Sequence, residues 1–230
     1  MHLFYKLIFL FPIMLFSQSN FEKAEQLFLQ KKYDLAKPIF QKILKENPNQ
    51  LKVLEYLGDI EGSQKSWDNA IKYYGKLKSL KPQEADYQYK YGGCLGMKAK
   101  ESNKFRALGM IGDVKNAFET AIALNPQHIG ARWALIELYL ELPGIVGGSE
   151  RKAQQYASEL LKISPVDGYL AKGYIEEYFK RYSLAEMHYS KANDIGNSKI
   201  TSQKLANLYV KMNQPQKAKT ILNSYSKNKG

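Results

Sequence analysis

Residues 51–84 read LKVLEYLGDIEGSQKSWDNAIKYYGKLKSLKPQE. Leu54, Leu57 and Gly58 fall on one stripe of a first helix, and Trp67, Ala70, Tyr74 and Leu77 on one stripe of a second. Spacings of three, four and seven residues suit a helical period of 3.6. Pro82 closes the unit. The pattern also stands 34 residues earlier: Tyr33 for Trp67, Ala36 for Ala70, Phe40 for Tyr74, Ile43 for Leu77 and Pro48 for Pro82. Five matches in one register mark an internal repeat.

A 34-residue unit of two helices with these residues resembles the tetratricopeptide repeat. The resemblance implies an all-α chain: a right-handed superhelical solenoid of antiparallel helix pairs. It implies a fold more firmly than a function, because such arrays serve unrelated partners. Gly58 and Ala70 are the small positions that allow the two helices of a unit to approach, while Trp67 and Tyr74 fill the space between units. Glycine in mid-helix costs about 1 kcal/mol against alanine, so its presence points to packing.

Outward from this stretch, six helix pairs are expected, at about 19–50, 51–84, 85–126, 127–165, 166–198 and 199–226, with a short tail at 227–230. In the first, a helix over 20–30 carries Phe21, Ala24, Leu27 and Phe28. Its second helix starts near Asp34, which suits a cap, with Pro38 in or just after the first turn. In the third, Tyr91 and Gly92 repeat Leu57 and Gly58, but the distance from Pro82 to Pro126 is 44 residues. The ten extra residues lie around 101–113, where Phe105, Leu108, Met110 and Ile111 predict either a lengthened second helix or a short extra turn. The fourth pair, ended by Pro165, carries five extra residues in LPGIVGGSE at 142–150. That segment follows a helix and lacks the lysine a phosphate loop requires, so it reads as a rigid turn with Ser149 capping the next helix. The fifth restores the pattern with Tyr169, Gly173, Tyr182, Ala185, Tyr189 and Ala192. The sixth carries Leu205, Ala206, Tyr209, Ala218 and Leu222.

The amino terminus is of another kind. His2 and Lys6 precede an unbroken apolar run of ten residues, Leu7 to Phe16, followed by small and polar residues to Asn20. Ten residues are half of what a membrane-spanning helix needs. Residues 1–18 therefore read as a signal peptide, or else as an uncleaved anchor. The expected location is periplasmic or secreted, with no stable membrane span after cleavage. The net charge is +12, and residues 164–230 hold 11 lysines or arginines against five acids. One cysteine, Cys94, excludes an intrachain disulfide and a cysteine metal cluster.

No catalytic, cofactor or metal grouping emerges. Of the three histidines, His2 lies in the signal, His128 at a helix start and His188 in mid-helix without companions; HExxH, GxSxG and paired cysteines are absent. Cys94 reads as an inert packed thiol. The resemblance to the repeat family implies that first helices line a concave surface whose outward residues meet a ligand. On this sequence they are Lys52, Glu55 and Asp59 in the second unit, Tyr89 in the third, Tyr174, Glu177 and Tyr178 in the fifth, and Gln203, Asn207 and Lys211 in the sixth. Exposed tyrosine with mixed charge suits protein or peptide contact. The expected function is thus a non-catalytic protein-binding scaffold or assembly factor. The alternative is polyanion or nucleic-acid binding by a basic surface, which would need lysines stacked on one face. The lysines and asparagines of the family's carboxylate clamp are not reproduced at Lys52, Glu55 and Asp59.

Overall fold

The computed structural model of the protein describes residues 10–227. Within that range lie α1 (Leu10–Leu29), α2 (Tyr33–Glu46), α3 (Leu51–Ser63), α4 (Trp67–Leu80), α5 (Ala85–Glu101), α6 (Lys104–Leu124), α7 (Ile129–Glu141), α8 (Glu150–Ile163), α9 (Pro165–Tyr178), α10 (Tyr182–Gly196), α11 (Lys199–Lys211) and α12 (Pro215–Lys227), plus one 3-10 turn at Gly144–Val146. All regular structure among the described residues is helical, and successive helices pair as hairpins. Residues 1–9 of the expected signal segment and 228–230 of the tail lie outside the described residues. The chain divides into two compact units, Met1–Ala117 and Phe118–Gly230.

In the first unit, Ala24, Ala36, Phe40, Ile43, Val53, Tyr56, Leu57 and Ile60 form one core, and Leu54, Ala70, Tyr74, Leu77 and Cys94 another. These are the stripes of the repeat pattern. In place of the helix expected over 20–30, α1 reaches back to Leu10. Helix α2 begins at Tyr33 with no side-chain cap, so Asp34 is not its cap; its carboxylate accepts from Gln64 at 3.0 Å. Pro38 is the sixth residue of α2, one or two residues deeper than the sequence suggests, where its missing N–H leaves the Asp34 carbonyl without a helical donor. The second unit packs Leu170, Ala185, Tyr189, Ala192, Leu205, Ala206, Leu208, Tyr209 and Ala218 together. Pro165 does not stand between helices as a terminator: it is the first residue of α9, and Ser164 before it both ends α8 and caps α9.

Gly58 has a sharper role than general close approach. A Cβ there would lie 2.7 Å from the Tyr74 ring, and one at Gly173 would lie 2.4 Å from the Tyr189 ring. Each glycine is thus the floor under the tyrosine 16 residues later, on the second helix of its own pair.

Three residues beyond each of these glycines is a buried acid. Glu61 pairs with Lys37 of α2 at 2.8 Å; Glu176 accepts from Gln154 of α8 at 3.0 Å and from Arg181 at 2.5 Å. Lys37 and Gln154 each follow a buried alanine, Ala36 and Ala153. In the last pair the roles exchange: Tyr209, three residues after Ala206, donates to Glu186, which follows Ala185. A polar link therefore recurs where one pair stacks on the next, and satisfaction of the buried carboxylates fixes that stacking register.

Candidate interaction surface

The first helices of the pairs carry the predicted contact residues. In the first unit, Lys52 is exposed, pairs with Glu55 at 3.5 Å and lies over the Tyr56 ring. Glu55 and Asp59 are drawn inward by a residue that sequence reasoning missed. Lys90 of α5 donates to Glu55 at 3.1 Å and to both Asp59 oxygens, and the Tyr74 hydroxyl donates to Asp59 as well. Burial pushes the Glu55 carboxyl up, but Lys90 and Lys52 outweigh it and hold it below the usual glutamate value. Burial and the Asp59 charge push the Tyr74 hydroxyl far up, so it remains a donor. The register offered a signal for Lys90. It stands 31 residues after Asp59, as Tyr56 stands 31 after Glu25, to which its hydroxyl donates at 2.5 Å. Tyr89 is half-buried.

In the second unit the predicted contact residues lie on α9 and α11, with α7 beside them. The rings of Trp133 and Tyr174 are 6.2 Å apart, and Lys204 Nζ lies 5.8 Å from the centre of the Tyr174 ring. Trp133 Nε1 donates to Asp167 at 3.2 Å, which fixes the indole. Tyr178 is exposed at its ring, and its hydroxyl donates to the Leu140 carbonyl at 2.7 Å. Gln203 and Asn207, both exposed, share a hydrogen bond of 2.9 Å. Glu177 is taken up by the Tyr189 hydroxyl at 2.7 Å and Lys211 Nζ at 2.6 Å. Burial, then the charges of Glu137, Glu141 and Glu177, raise the Tyr174 hydroxyl above its ordinary value. The structure thus sets Tyr174 and Tyr178 on α9 and Gln203, Asn207 and Lys211 on α11, links the two helices through Lys204 over the Tyr174 ring and Lys211 on Glu177, and spends Glu177 on the fold. Trp133 and Lys204 join them. Neither has a counterpart in the repeat pattern, so periodicity could not single them out.

Residues 18–49 match the tetratricopeptide repeat family. The chain has a tetratricopeptide-repeat fold. Solved structures agree on the fold. A thermophilic tetratricopeptide protein of Thermus thermophilus superposes with a TM-score of 0.63 at 17% identity, covering 90% of this chain and 98% of that one. PilW, described as a widely conserved type IV pilus biogenesis factor, gives 0.64 at 15% identity, with 92% and 93% covered. A tetratricopeptide repeat protein from Parabacteroides merdae gives 0.64 at 17% identity, with 90% and 78% covered. No curated protein matches in sequence.

Elsewhere in the chain, polar groups with chemical potential serve the backbone. His128 caps α7, its Nδ1 accepting from the Ala131 amide at 3.0 Å, so that nitrogen carries no proton. Segment 143–149 is the rigid turn expected of it. Gly147 has φ of 103°, the Gly148 amide donates to the Pro143 carbonyl, the Ser149 amide donates to the Tyr139 carbonyl, and the Ser149 hydroxyl caps α8. Cys94 is buried, its thiol pushed up to about 11 by burial and by Asp59. No helix among the described residues is long and apolar enough to cross a membrane.

Proposed function

We propose that the shared face of α7, α9 and α11 in the second unit binds an extended segment of a partner protein, making this chain a non-catalytic scaffold or assembly factor. The observation that carries the reading is the exposed set of Tyr178, Gln203, Asn207 and Lys211 beside the fixed Trp133 and Tyr174 rings. Aromatic side chains offer large contact area at low entropic cost, and paired amides can exchange their mutual bond for the amides of an extended chain. A polyanion finds a poorer surface here, because Lys211 is already held by Glu177. We read residues 1–18 as an export signal, so the partner is sought in the periplasm or outside the cell; the mass of the mature protein tests the cleavage directly.

The binding test is site-specific photocrosslinking in cells. A photoreactive residue at position 203 or 207 should form a discrete protein adduct, and one at Lys191, exposed on α10, should not. Combining Tyr178→Ala with Asn207→Ala should weaken the adduct about tenfold or more, the scale of a hot-spot loss. Equal adducts at 203, 207 and 191, or none, would remove the reading.

A further inference from the structure

The longest insertion in the repeat pattern builds an exposed apolar helix tip. Helix α6 has 21 residues, and its first three turns are the residues added to the period. One stripe of this extension is Phe105, Leu108, Gly109 and Gly112, the i, i+3, i+4, i+7 positions of a single face. Phe105 is 89% exposed and Leu108 47%. A Cβ at Gly109 or at Gly112 would meet nothing within 4 Å. The opposite face is the one that packs, through Val114 and Ala117. Over two turns the outward stripe presents no polar side chain, whereas the exposed positions of α4 are Asp68, Asn69, Lys72 and Ser79, with Leu80 at its end.

Cations surround it. Lys98 and Lys100 lie in the last turn of α5, Lys104 and Arg106 in the first turn of α6, with Glu101 the one acid among them. Lys98 has an intramolecular partner, Asp68, whose side chain is itself largely exposed. The Asn103 side chain caps α6 by accepting from the Arg106 amide at 3.1 Å, which holds Phe105 at the helix tip. A projecting apolar tip within a basic collar has the chemistry of a contact with an anionic bilayer, with apolar side chains entering the acyl boundary and lysine and arginine remaining at the headgroups. A stable protein interface is a poorer match. The stripe is about 10 Å long on a helix about 10 Å across, on the order of 100 Å², far short of the roughly 800 Å² per partner that such interfaces bury.

We infer that the α5–α6 tip is a peripheral membrane-contact site, inserting Phe105 and Leu108 into the surface of an anionic lipid bilayer. The site shares no residue with the apolar amino terminus or with the face of α7, α9 and α11. The test uses the full chain with Phe105→Trp, so that the fluorophore reports its own depth whatever else anchors the protein. With vesicles of phosphatidylglycerol in phosphatidylcholine, the added emission should shift to the blue and be quenched by brominated acyl chains. With phosphatidylcholine alone it should do neither. In sedimentation with the same anionic vesicles, Phe105→Ser with Leu108→Ser should lower the bound fraction's partition coefficient by about tenfold. Both side chains are exposed, so this variant folds as the parent does. An unshifted, unquenched tryptophan on anionic vesicles would overturn the inference. So would equal insertion into both vesicle types, or sedimentation that depends on lipid charge but not on Phe105 and Leu108.

Discussion

An alanine Cβ at position 173 would sit 2.4 Å from the Tyr189 ring, whose hydroxyl is tied to Glu177 and cannot swing aside freely. Overpacking of this kind costs about 1–3 kcal/mol, against about 1 kcal/mol gained from helix propensity. Gly173→Ala should therefore lower the urea midpoint. Gly58→Ala should lower it less, because its closest approach to Tyr74 is 2.7 Å. Gly93 is the control: nothing lies within 4 Å of its added Cβ, so Gly93→Ala should raise stability by about 0.5–1 kcal/mol. Opposite signs at 173 and 93 separate a packing glycine from an idle one, a distinction that the repeat pattern alone does not make. Cys94 gives a second check at this scale. Burial disfavours its thiolate, so the folded protein should resist iodoacetamide at pH 8 and label completely in denaturant, as read by mass.

At the scale of elements, one turn recurs between the two helices of four pairs. Lys31, Lys65, Lys180 and Asn213 each adopt the left-handed conformation, with φ of 59°, 57°, 58° and 57°. The next amide reaches back to a carbonyl of the first helix: Lys32 to Leu27, Ser66 to Glu61, Arg181 to Glu176, Gln214 to Tyr209. The third and fourth pairs lack this turn, and there the period is lengthened. Lysine is a costly residue for the conformation, by about 1–2 kcal/mol, while glycine is free of that strain but loses more entropy on folding. Lys180→Gly should therefore raise stability by about 0.5–1 kcal/mol, measured by urea unfolding, and Lys65→Gly should act likewise. Sequence reasoning missed these turns because lysine gives no turn signal: it marks surface, and only the backbone shows why the position is special.

For the molecule as a whole, the buried stripes of alanine, leucine and tyrosine were legible, because a period of 3.6 within a period of 34 leaves few other ways to bury them. The proposed contact surface was legible only in part. Tyr178, Gln203, Asn207 and Lys211 are exposed as expected, but Glu55, Asp59 and Glu177 are bound by Lys90, Tyr74, Tyr189 and Lys211. An outward carboxylate on a first helix is a contact residue or a link between pairs according to whether the next pair supplies a donor in register, and one helix read alone does not contain that information. The same internal links set the response to acid. Around His188, burial and then Lys172 oppose protonation, against a weaker pull from Glu176, so its pKa lies below the ordinary 6.5. The unfolded chain binds that proton first, so the His188 contribution to stability should be flat above about pH 6.5 and fall as the pH drops below it. Glu55, whose pKa is also depressed, contributes stability that is fully present above the ordinary 4.5 and is lost as pH falls through its folded value. Chemical denaturation at a series of pH values should therefore show two successive declines. His188→Gln should remove the upper one and leave the lower. Lys90→Met should lower stability at neutral pH, by leaving Glu55 and Asp59 without their shared cation, and should flatten the lower decline. An upper decline unchanged in His188→Gln would place its origin at another group.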